Sequence, residues 1–216
     1  MSTLEGKIRL KFYKMGKLKF ISHLDLVRTL KGALLRAEIP IYYTEGFNPH
    51  PKMVFALPLP LGEESVCEYL DIKLVEPMDG AALLAAANAQ LTSEMQFTEV
   101  YPPEMSFQEI TAARYRMEFR EIDAAVLENA LRGPLLVTKK SKKGMIEVDL
   151  QPNLLSFTIT EGEDGSVLVD ALLSASEKSF VNPENLVKAL RTVTGAALDD
   201  YDILRQEIYA GERVFQ

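Results

Sequence analysis

The chain has two histidines, His23 and His50. Imidazole is the side chain best suited to exchange protons near neutral pH. A pair of them can act as acid and base in metal-free RNA cleavage, which makes His23 and His50 the candidate catalytic residues if the protein is an enzyme. Nothing in their spacing brings them together, and the non-catalytic reading, with both as binding residues, is preferred. His50 lies in the most unusual segment of the chain, Gly46-Phe47-Asn48-Pro49-His50-Pro51-Lys52. Two prolines two residues apart fix φ and push the preceding residues towards extended geometry, so the loop is stiff. A stiff loop loses little entropy on binding. Phe47 can stack on a base and Lys52 can meet a phosphate, with Asn48 and His50 beside them. The competing reading is a turn that locks a hairpin, with Phe47 in the core.

The second candidate is Ser22-His23-Leu24-Asp25. A helix N-terminus presents unpaired N–H groups and a partial positive charge, a natural seat for phosphate. Lys17 and Lys19 precede it, His23 lies on its first turn and Arg28 follows one turn later. Helix capping by Ser22 and Asp25 is expected in either case, so only the role of His23 is open. A third basic segment, Lys139-Lys140-Ser141-Lys142-Lys143-Gly144, reads as a hairpin tip. It is either a solvated tip that discourages edge aggregation or a phosphate-contacting finger.

Other chemistries are poorly provided for. Cys67 is the one cysteine, so no internal disulfide forms, and an iron–sulfur cluster or structural zinc site lacks its thiolates. No phosphate-binding glycine loop, nucleophile elbow or His-Glu zinc motif occurs. No metal or cofactor is expected. The N-terminus lacks the apolar core of a secretory signal, and no segment has the length of apolar sequence a membrane span needs. The cytoplasm is the expected compartment.

The net charge of −7 is unevenly spread. Residues 1–60 hold ten Lys or Arg against four acids, a balance of +6, and the remainder carries −13. Such polarity suits one face for a polyanion, with an acidic remainder that limits indiscriminate adhesion.

The elements that must position these residues follow from periodicity. Ile8, Leu10 and Phe12 alternate with Arg9, Lys11 and Tyr13, as in a half-buried strand. Ser22 opens a helix with Asp25 in a shortened capping box and Ile21 and Leu26 as the staple, and Pro40 stops it. Strands are expected at Ile41–Tyr43, Met53–Leu57, Val66–Val75 and Met95–Val100, with a helix over Met78–Leu91. After Pro102-Pro103 the pattern restarts. Strands are expected at Ala113–Phe119, Leu135–Thr138, Met145–Leu150, Leu154–Thr160, Val167–Leu173 and Tyr201–Ile208. Helices are expected over Asp123–Leu131 and from Pro183 to about Thr194, the latter capped by Asn182 and ended by Gly195. The fold class is α+β with two tandem ferredoxin-like (β-α-β-β-α-β) units, the second with an extra hairpin. The expected boundaries are an N-terminal domain with a basic face over 1–101, a linker over 102–111 and a C-terminal domain over 112–216.

Lys17-Leu18-Lys19-Phe20-Ile21-Ser22-His23-Leu24-Asp25-Leu26 forms the first part of a larger pattern. Arg36-Ala37-Glu38-Ile39-Pro40, Gly46 to Lys52, and Phe55-Ala56-Leu57-Pro58-Leu59-Pro60-Leu61-Gly62 complete it. Together these segments resemble the radical-SAM-linked protein family, a bacterial domain of unknown function found beside or fused to radical SAM proteins. The resemblance covers about residues 8–75 and implies a radical SAM protein as partner. In that family position 50 can hold another basic residue, which favours His50 as a charge over a catalyst. The expected function is a non-catalytic RNA-binding accessory protein that presents tRNA or rRNA to a partner modification enzyme. Its nucleic-acid-binding residues are Lys17, Lys19, His23, Arg28, Phe47, Asn48, His50 and Lys52. The alternatives are a protein-only docking subunit of a radical SAM enzyme and an RNA-processing enzyme using His23 and His50.

Overall fold

The computed structural model describes residues 3–141 and 144–216, so Lys142 and Lys143 of the basic hairpin tip lie outside the described residues. The chain is α+β and divides into two compact units, Met1–Phe107 with Gln216, and Gln108–Phe215.

In the first unit, β1 (Lys7–Lys14) is followed by α1 (His23–Arg36), β2 (Met53–Phe55), β3 (Glu64–Lys73), α2 (Gly80–Asn88) and β4 (Phe97–Tyr101). The strands lie in the order β4-β1-β3-β2, each antiparallel to its neighbours. The alternation in β1 works as expected on one side: Ile8, Leu10 and Phe12 are fully buried, with Leu70 and Ile72 of β3 in the same core. Leu26, Leu30 and Leu34 of α1 and Leu83 and Ala87 of α2 complete that core, so both helices cover this face. Ile21 packs against it too, as a staple should.

The other side of β1 departs from the half-solvated expectation. Arg9 on that side is buried, and so is Lys14 at the strand's end, which removes two of the ten N-terminal bases from the surface. Arg9 is buried because β1 pairs with β3 in a register that sets it opposite Asp71. Its Nε donates to Asp71 Oδ1 at 2.7 Å and its NH2 to Oδ2 at 2.9 Å. The third nitrogen, NH1, donates to the Gln216 carbonyl at 2.8 Å, and the Phe107 ring centroid lies 4.3 Å from the guanidinium carbon. A buried guanidinium is tolerated only with this degree of satisfaction.

Helix α1 ends earlier than Pro40. The N–H of Ile39 bonds to Leu34 O and that of Glu38 to Leu35 O, the paired bonds of a Schellman stop. The left-handed position of that motif is Glu38, at φ +54°, where glycine is the usual occupant. Glu38→Gly should therefore stabilise the protein by about 1 kcal/mol, measured by urea unfolding; a loss of stability would show that the Glu38 side chain makes a compensating contact.

The expected strand at Ile41–Tyr43 is reduced to two isolated bridges, Ile41 with Leu74 and Tyr43 with Pro51. Tyr42 N bonds to Lys73 O while Lys52 N bonds to Tyr42 O, so this stretch splits its bonds between two partners. Pro51 has no N–H with which to extend either ladder.

The second unit repeats the succession. It contains β5 (Ala112–Phe119), α3 (Ala124–Arg132), β6 (Leu136–Ser141), β7 (Gly144–Asp149), β8 (Leu154–Glu161), β9 (Val167–Ser174), α4 (Pro183–Thr194) and β10 (Tyr201–Ala210). The strand order is β10-β5-β9-β8, again antiparallel throughout, while among the described residues β6 and β7 pair with each other as a separate sheet. Asp123 caps α3 and Asn182 caps α4, both through side-chain oxygens that accept backbone N–H bonds. Gly195 ends α4 at φ +69°. The stretch expected to be a linker carries a short 3-10 turn at Phe107–Glu109, with Met105 and Ile110 buried on either side.

Candidate nucleic-acid interface

Lys17 and Lys19 sit on a 3-10 turn, Gly16–Phe20, between β1 and α1. Carboxylates hold the backbone of this turn: Gly16 N donates to Glu64 Oε1 at 2.7 Å and Lys17 N to Glu94 Oε1 at 3.0 Å. The Lys17 side chain is exposed. The Lys19 ammonium lies 5.4 Å from the centroid of the Phe20 ring, which is itself well exposed.

At the start of α1, Ser22 Oγ accepts from Asp25 N at 3.1 Å and the Ser22 hydroxyl donates to Asp25 Oδ2 at 2.7 Å. The box therefore closes through the hydroxyl. Arg28 NH1 reaches Asp25 Oδ1 at 3.2 Å. The Ser22 hydrogen bond holds the Asp25 carboxyl below its ordinary range, with Arg28 adding to the effect and partial desolvation opposing it. A negative charge thus already meets the helix N-terminus, which blunts its use as a phosphate seat. Because the Asp25 pKa is depressed in the folded protein, its contribution to stability is present above the unfolded-state value and is lost as pH falls through the folded one. Ser22→Ala should raise the Asp25 pKa towards the ordinary carboxylate value and cost about 1 kcal/mol, measured by NMR titration and urea unfolding. An unmoved Asp25 titration would show that Arg28 alone sets it.

His23 is exposed and meets the Phe55 ring edge-on, with centroids 5.3 Å apart. His50 has different partners. Its Nδ1 lies 3.2 Å from the Asn48 carbonyl and 3.1 Å from Thr44 Oγ1, and its backbone N–H donates to the same hydroxyl oxygen. The carbonyl can only accept, which favours the ring proton on Nδ1. Among the described residues no contact joins the two histidines.

The 44–52 loop is tied at its neck. Thr44 N donates to His50 O at 2.9 Å, and Lys52 N donates to Tyr42 O at 3.0 Å. Beyond the neck Phe47 is fully exposed, which overturns the alternative that placed it in the core. Asn48, Pro49, His50 and Lys52 are exposed around it, whereas Pro51 is buried. Gly46, at φ +123°, makes the turn into the tip.

A groove of about 340 Å³ lies near the base of this loop, lined by Lys7, Lys52, Val54, Asp71, Ile72 and Lys73. Of the binding residues expected from sequence, only Lys52 lines it. Lys7 and Lys73 were missed because their facing positions depend on the β1–β3 register, which pairs them directly. Among the described residues no group of three or more His, Cys, Asp or Glu could hold a metal ion, and no helix is long and apolar enough to cross a membrane. Cys67 is buried.

No curated protein matches this sequence. A crystal structure of an unknown protein from Galdieria sulphuraria is similar at 13% identity, covering 94% of this chain and 99% of that one, with a TM-score of 0.27. Residues 7–183 match the model of a family described as an uncharacterized protein conserved in bacteria, DUF2344, and the chain belongs to that family.

Proposed function

We propose that this protein is a non-catalytic RNA-binding module of two ferredoxin-like units that presents tRNA or rRNA to a radical SAM modification enzyme in the cytoplasm. The shared strand order of the two units supports the ferredoxin-like reading, and the radical SAM partner rests on the sequence resemblance alone. The observation that carries RNA binding is Phe47: a large aromatic ring fully exposed on a loop tied at its neck, with Lys52 and His50 beside it. Leaving such a ring in water brings no folding benefit, whereas a base offers it a stacking partner. Single strands bound by stacking and phosphate contact are the ligand class this combination fits.

The test is fluorescence polarisation with a single-stranded oligoribonucleotide. Affinity should fall steeply as salt rises, because each neutralised phosphate releases counterions. The two prolines separate stiffness from structure: Pro49→Ala should weaken binding at unchanged melting temperature, whereas Pro51→Ala should lower the melting temperature. A Pro49→Ala variant that binds normally would remove the pre-organised loop from the reading.

A second reading has its own observation. Phe20, Leu24 and Leu61 are all more than half exposed, and the segments bearing Phe20 and Leu61 are tied together by the bond from Gly62 N to Lys19 O. Exposed apolar side chains of this kind suit docking on a protein. Absence of RNA binding at low salt together with a stable complex with the radical SAM protein would make that the function.

A further inference from the structure

The groove lined by Lys7, Lys52, Val54 and Lys73 has a charge balance that the fold does not use. The register sets Lys7 opposite Lys73, and Arg9 and Val54 opposite Asp71, so these residues share the sheet face away from α1 and α2. Among the described residues Asp71 is the one carboxylate lining the groove. Both of its oxygens are occupied by Arg9, and Lys7 Nζ adds a contact to Oδ2 at 3.0 Å. Arg9 is buried and spends its donors on Asp71 and the Gln216 carbonyl. It therefore holds Asp71 in place while remaining out of reach of a ligand.

The ammonium groups of Lys7, Lys52 and Lys73 are left to face solvent. The Lys7 side chain is 60% exposed even while touching Asp71, and Lys52 and Lys73 are both exposed. Among the described residues neither Lys52 nor Lys73 is within ion-pair distance of a carboxylate. Lys73 lies over the Tyr42 ring, 4.9 Å from its centroid, and Val54 leaves nearly half its surface open. Three lysines around one shared carboxylate make a seat for a compact, multiply charged anion. A ring and an aliphatic wall beside it suit the less polar remainder of such a ligand.

We propose that this groove is a phosphate subsite that takes one nucleotide unit of the bound strand: Lys7, Lys52 and Lys73 hold the phosphate, and Tyr42 and Val54 contact the sugar or base. The assignment takes its ligand class from the RNA-binding reading above. It extends the binding surface from the 46–52 loop onto the open face of the first unit's sheet, with Lys52 common to both.

The test uses the full chain labelled with 15N and titrated separately with uridine 5′-monophosphate, inorganic phosphate and uridine. The monophosphate and inorganic phosphate should give saturable shifts at the amides of Lys7, Tyr42, Lys52 and Lys73, and uridine should give none. In the K7A/K73A double variant these shifts should weaken by at least about tenfold in affinity, at unchanged melting temperature, because exposed charges contribute little to stability. In the same variant the salt dependence of oligouridylate binding should become shallower by roughly 0.7 in log–log slope, one phosphate contact being lost from a single strand. Saturable phosphate shifts without oligonucleotide binding would end the RNA reading and keep the subsite. Oligonucleotide binding with an unchanged slope in the variant, and no response to the monophosphate, would end the subsite and keep the RNA reading. A protein silent to all of these ligands would end both.

Discussion

Asp71→Asn should lower the stability of the first unit by about 3–5 kcal/mol, among the largest losses expected from any single substitution here. The Arg9 guanidinium is fully buried, and the substitution removes the negative charge that meets two of its nitrogens, while Gln216 and Phe107 still contact it. Removing one member of a buried pair is costly because the remaining charge keeps its desolvation penalty. Lys11 and Glu99 provide the control: they form an ion pair at 3.3 Å on neighbouring strands, but Glu99 is more than half exposed. Lys11→Ala should cost under about 1 kcal/mol, since solvent screens such a pair. Urea unfolding of both variants checks the contrast. Equal effects would mean that the Arg9–Asp71 pair contributes no more than a surface contact.

Phe47→Ala should weaken binding of a single-stranded oligoribonucleotide by about 1–3 kcal/mol, roughly 5- to 150-fold, with no change in melting temperature. The ring is fully exposed, so its removal opens no cavity. The quadruple replacement of Lys17, Lys19, Arg28 and Lys52 by alanine should abolish binding at moderate salt. Its effect on the salt slope should correspond to about three phosphates, not four, because Arg28 already shares its charge with Asp25. Unchanged affinity in the Phe47 variant together with a full loss in the quadruple variant would leave charge alone as the basis of binding. His50→Lys separates the remaining roles: a charge at position 50 predicts retained binding, and acid–base chemistry predicts loss of any RNA turnover.

Local chemistry made most of the element succession legible in the sequence. Ser22, Asp123 and Asn182 cap their helices because a short oxygen-bearing side chain reaches the unpaired N–H groups behind it, and that requires only neighbouring residues. Gly195 ends α4 for an equally local reason, its access to positive φ. The alternation Ile8, Leu10, Phe12 announced a strand with one buried side.

What the sequence could not supply was the pairing between distant segments. Arg9 and Lys7 look alike along the chain, two bases on one side of a strand. Only the register against β3 buries Arg9 on Asp71 and leaves Lys7 in the groove with Lys73, some 66 positions away. The same dependence hid Tyr42, whose role beside Lys73 comes from a backbone bond between residues 42 and 73. Arg28 and the helix N-terminus lost part of their availability to a close carboxylate, a matter of side-chain geometry that spacing suggests without deciding. Phe47 went the other way: an aromatic residue between glycine and proline is compatible with core or surface, and only the folded loop put it in solvent. The sequence by itself determined which segments become helices, strands and stiff turns, because those choices are made over a few residues. The tertiary structure decided which charges are buried, paired or open, because burial and pairing depend on segments that meet only when the sheet closes.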